Sequence, residues 1–103
     1  MWYVSVCMAT ITVSQVGNAD PMEFEVEVGD AKGRTRHRVT MPAAIHARLG
    51  GTATPAAFVR AAFAFLLDRE PKESILRRFD VTVIARYFPE FEEKIGNYLR
   101  TVD

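Results

Sequence analysis

The segment from Pro55 to Arg69, PAAFVRAAFAFLLDR, limits the possible folds of this chain more than any other stretch. Between Ala56 and Leu67 only Arg60 is polar. Phe58, Ala62 and Phe65 line one side of the predicted helix while Val59, Phe63 and Leu66 line the next, so the apolar arc wraps most of it. A helix of this kind must be covered on more than one side. Its start is signalled by Thr54, whose hydroxyl can accept from the free N–H groups of the first turn, and by Pro55, where a missing N–H costs nothing. It stops where Glu70 meets Pro71, because the residue before a proline is pushed out of the α region. The run is too short for the ~20 residues of a membrane span and Arg60 interrupts it.

One side of that cover reads as strand. Met22 to Val28, MEFEVEV, alternates strictly, with Phe24, Val26 and Val28 on one face and Glu23, Glu25 and Glu27 on the other. GDAKG (29–33) is a turn, and Arg34 to Met41, RTRHRVTM, returns with Thr35, His37, Val39 and Met41 opposite Arg34, Arg36, Arg38 and Thr40. With Val26 and Val39 facing the core, the glutamates lie across from the arginines, Glu25 meeting Arg36 or Arg38. The basic stripe therefore has an internal partner. Upstream, Trp2, Val4, Val6 and Met8 alternate with Tyr3, Ser5 and Cys7, and Ile11 and Val13 continue the period, so the N-terminus reads as a further strand up to the GNADP turn (17–21). Met8 and Met22 read as candidate translation starts, so residues 1–21 are expected to be a start-site extension or a loosely attached strand.

The other side reads as helix. Pro42 opens a short helix over Ala43 to Leu49, with Ile45 and Leu49 inward and His46 and Arg48 outward, closed by Gly50 and Gly51. After the central helix, Pro71 is expected to restart a helix in which Ile75, Leu76 and Phe79 of KESILRRF are buried, with Glu73 in its first turn. Asp80 caps VTVIARYF, which suits a short helix, although its β-branched run also fits a strand. Pro89 opens a last helix with Phe91, Ile95, Tyr98, Leu99 and Val102 on one face. The expected fold is one α+β domain over 1–103, a hairpin or small antiparallel sheet on a central apolar helix followed by short C-terminal helices.

Lys plus Arg and Asp plus Glu number 13 each, so the net charge is zero, where a free-standing nucleic-acid binder usually carries a basic excess. Cys7 is the single cysteine and there are two histidines, too few for an internal disulfide or a zinc cluster. No signal peptide is read, since no Lys or Arg precedes the first apolar run, and a cytoplasmic location is expected. His37, on the apolar face of its strand, reads as a core histidine bonded to backbone, and His46 as a surface residue. Cys7 lacks basic neighbours in sequence that would lower its pKa. DREPKE (68–73) reads as a solvated corner between helices, and the glycines form no phosphate loop. No catalytic, cofactor or metal site is expected.

Two resemblances follow from these residues. RHRVTMP, a short helix, a glycine turn and a longer helix together resemble the ribbon-helix-helix fold over about 34–69. That resemblance implies a dimeric DNA-binding regulator or antitoxin in which Arg36, Arg38 and Thr40 enter the major groove from a ribbon shared by two chains, with Thr52 and Thr54 near phosphate. REPKESILRRFD, RYFPEFE, TRHRV and FAFLLDRE resemble a family of small bacterial and archaeal proteins over about 35–95. That family has no established activity, so the resemblance implies an independently folding domain and assigns no site residue. The favoured expectation is a non-catalytic protein acting as a homodimer or on another protein, because the apolar helix and N-terminal strand are much for a small chain to bury.

Overall fold

The computed structural model describes residues 9–102. The expected strand over Trp2 to Met8, with Cys7, lies outside them. Strands β1 (Thr10–Gly17), β2 (Met22–Asp30) and β3 (Gly33–Met41) are followed by helices α1 (Ala43–Leu49) and α2 (Pro55–Leu67). A 3-10 turn (Lys72–Ser74), strand β4 (Arg78–Asp80), and helices α3 (Thr82–Tyr87) and α4 (Phe91–Val102) complete the chain. The four strands lie in the order β1-β2-β3-β4, antiparallel up to β3 and parallel between β3 and β4. The fold is α+β, as the residue pattern implies.

The β2–β3 hairpin pairs Glu25 with Arg38 and Phe24 with Val39, which resolves the two registers left open by the sequence. Phe24, Val26, Val28, Val39 and Met41 are fully buried on its inner face. Helix α2 lies against the sheet, nearest β1, shares one core with that face and also packs on α4, so it is covered from two sides as its apolar arc demands. Phe58, Val59, Ala61, Ala62, Phe63, Phe65 and Leu66 are all buried. Thr54 caps the helix as expected, its Oγ1 accepting from the Ala57 amide at 3.1 Å. Phe91 and Ile95 of α4 close the core from beyond, and Ile45 and Leu49 of α1 pack against it half-buried.

The segment after Pro71 departs from the expected helix. Its 3-10 turn covers only Lys72–Ser74, and the chain then runs extended into β4. The edge of β3 decides this. Arg38 donates its amide to the Arg77 carbonyl at 2.7 Å, and Val81 donates to the Thr40 carbonyl at 2.9 Å. Backbone groups of a sheet edge need partners, and the stretch satisfies them as a strand. Leu76, expected inside, is 49% exposed in consequence. The ambiguous run after Asp80 forms helix α3. The Asp80 carboxylate accepts from the Thr82 amide at 3.0 Å, and its other oxygen accepts from the Thr40 hydroxyl at 2.7 Å, so one side chain ties β3, β4 and α3 together.

Candidate functional site

The outer face of the sheet carries the residues that a DNA-binding ribbon would use. Arg38 donates to Glu23 at 2.7 Å and Arg34 to Glu27 at 2.8 Å, so the glutamate column of β2 neutralises much of the arginine column of β3. Arg36 lies across from Glu27 and is exposed, and Thr40 is engaged with Asp80. Strand β3 has β2 along one side and β4 along the other at Arg38–Thr40. A ribbon-helix-helix dimer needs that strand at a free edge, and over Arg38–Thr40 the edge is occupied.

His37 is 3% exposed and held at both nitrogens. Nδ1 donates to the Leu76 carbonyl at 2.8 Å, and since a carbonyl can only accept, the proton of the neutral ring sits there. Nε2 then accepts from the Thr35 hydroxyl, also at 2.8 Å. The ring packs 5.3 Å from Phe63, and burial pushes its pKa below the ordinary value, with Arg77 adding to the effect. It is the core histidine that the strand pattern suggested, with no nitrogen left for a substrate. His46 differs from its reading as a surface residue: Nε2 donates to the Ala53 carbonyl at 2.7 Å and closes the turn after α1. That turn requires its glycines. A Cβ on Gly50 would stand 2.6 Å from the His46 carbonyl oxygen, and Gly51 has φ +58°.

The DREPKE corner is a junction of long-range contacts rather than a solvated loop. Lys72 is buried, with Nζ donating to Glu73 at 2.6 Å and to Asp30 in the hairpin turn at 2.9 Å. That ammonium holds both carboxyls below the usual carboxylate range. Arg69 lies 3.7 Å above the Phe65 ring and donates to Glu90, to the Phe65 carbonyl and to Tyr98, whose hydroxyl donates to Asp68 at 2.6 Å. Sequence inspection missed these roles because the partners are far off along the chain. The one local signal was the density of charge beside Pro71. Substituting Lys72→Met keeps the buried stem and removes the ammonium. The expected result is a modest loss of stability with faster amide hydrogen exchange at Lys32 and Gly33; unchanged exchange there would mean that the clamp does not hold the turn.

Between the end of α2, the 74–79 stretch and α3 runs an open groove of about 370 Å³. Leu66, Ile75, Phe79, Ile84 and Phe88 make it apolar, with Glu70 and Ser74 as polar exceptions. Leu76 and Tyr87, 49% and 68% exposed, stand at its rim. Among the described residues no group of three or more His, Cys, Asp or Glu is placed to hold a metal ion, and no helix is long and apolar enough to cross a membrane. No protein-family model, curated protein or solved structure matches this chain.

Proposed function

We propose that this domain is a non-catalytic association module, acting as a homodimer or by binding another protein, in the cytoplasm. The observation that carries the reading is the apolar groove with Leu76 and Tyr87 at its rim. Large apolar side chains clustered at a surface cleft gain by being covered, and a partner chain covers them. The ionisable side chains near the centre support the same reading, since His37 and Lys72 are committed to holding elements together.

Light scattering on the purified chain tests it. The expected result is a mass above 11.6 kDa that rises with concentration, and a shift toward monomer in Tyr87→Glu, which places charge in the groove. A strict monomer at high micromolar concentration, with a groove that binds no apolar dye, would falsify the reading. Adding a random-sequence duplex to the same measurement separates out DNA binding, because a complex held by phosphate contacts dissociates steeply as salt rises.

A further inference from the structure

We propose that β1 pairs antiparallel with β1 of a second copy of this chain, centred on Thr12, so that two four-stranded sheets join into one. The inference rests on the reading of the chain as an association module and names the second copy as the partner.

Among the described residues, strand β1 is the long edge of the sheet: seven of its eight residues pair with β2 on one side, while β4 at the opposite edge has three residues. Alternate backbone groups of an antiparallel strand point away from its neighbour, and those of Thr10 to Ser14 pair with no other backbone group among the described residues. Proteins that keep such an edge solitary blunt it with lysine, proline or a bulge. TITVSQVG has no charged residue and no proline, although a quarter of the chain is charged. Its one irregular step lies between Gln15 and Gly17, leaving Thr10 to Ser14 regular.

The regular part is self-complementary. An isologous interface requires that residue i meet j while j meets i, and opposed residues of an antiparallel pair share a face. Centred on Thr12, Ile11 meets the partner copy's valine at 13, Thr10 meets its serine at 14, and the two threonines at 12 face each other. Apolar thus meets apolar on the core side, where Ile11 and Val13 are half-buried against the core, and hydroxyl meets hydroxyl outside. The glutamates of the two β2 strands stay three strand spacings apart, about 14 Å at ~4.8 Å per strand. That exceeds the ~8 Å Debye length at physiological salt, so their repulsion is screened.

Disulfide trapping tests the register in the full chain carrying Cys7→Ser. Thr12→Cys is expected to form a covalent dimer on mild oxidation, because directly opposed residues have Cα atoms within bonding range. Ser14→Cys and Thr10→Cys alone are not, since the symmetry sets like residues about 13 Å apart along the strands; together in one chain they cross-link. Thr12→Lys sets two like charges in direct opposition and is expected to give a monomer by light scattering, with the parent's urea midpoint retained when both are compared at a dilution where the parent is also monomeric. Equal trapping at all three positions, or a dimer that survives Thr12→Lys, overturns the proposal. If the dimer survives Thr12→Lys and dissociates in Tyr87→Glu, association stands through the groove and the edge pairing falls. A parent chain that stays monomeric overturns the pairing.

Discussion

Truncating Phe65 to alanine is expected to lower stability by about 3–5 kcal/mol, the cost of removing a buried aromatic and leaving its cavity. Against the ~5–15 kcal/mol that holds a typical domain together, this is a large fraction. Phe65 has this leverage because its ring is shared. It lies 5.1 Å from Phe91, 5.6 Å from Tyr98 and 5.9 Å from Phe88, all edge-on, with the Arg69 guanidinium above it. The truncation thus loosens α4 and the end of α3 from α2, and removes the platform from which Arg69 reaches Glu90. Phe65→Leu keeps most of the volume and loses the edge-to-face pairs, each worth about 0.5–1.5 kcal/mol, together with the cation–π contact from Arg69. Urea midpoints of the two variants check the ordering. A Phe65→Ala loss under ~1.5 kcal/mol would mean that the cluster repacks, well below the range for such truncations.

Acid is expected to destabilise the fold in two windows, the first of which belongs to His37. Burial lowers its pKa in the folded chain from the ordinary 6.5. Above 6.5 the ring is neutral in both states and its contribution is fully present. As pH falls below 6.5 the unfolded chain takes up a proton that the folded chain resists, so stability declines until the lowered folded value is passed. Protonation also requires the Thr35 hydroxyl to turn and accept, because Nε2 can then only donate. His37→Gln is expected to be less stable at pH 7.5 and to lose much of the slope that sets in as pH falls below 6.5. Equal slopes for parent and variant would refute the assignment. The second window lies lower. Lys72 holds Asp30 and Glu73, and Arg48 holds Glu92, below their usual values of 3.8, 4.5 and 4.5, so their contributions vanish as pH falls through those lowered values.

Much of the frame was legible because its signals are local. The alternation of MEFEVEV and RTRHRVTM reports which side chains share a face, and the hairpin turn brings them together. The cap and the stop of α2 likewise depend on residues within a few positions. His37 could be placed in the core from parity alone. The arginines could be matched to the glutamates, since any register that buries Val26 with Val39 sets charge against charge.

What local pattern could not supply was contact across sequence distance. KESILRRF has the spacing of an amphipathic helix, and its conversion to β4 follows from unpaired backbone at Arg38 and Thr40, which lie far upstream. Lys72 and Arg69 read as solvated charges until Asp30, Glu90 and Tyr98 are brought beside them. The groove is likewise formed by three separated stretches and has no motif. The sequence by itself determined which faces must be buried, because hydrophobic periodicity is a property of neighbouring residues. Only the tertiary structure decided which edges, ammonium groups and grooves find partners, because those depend on which distant segments share the space around one core.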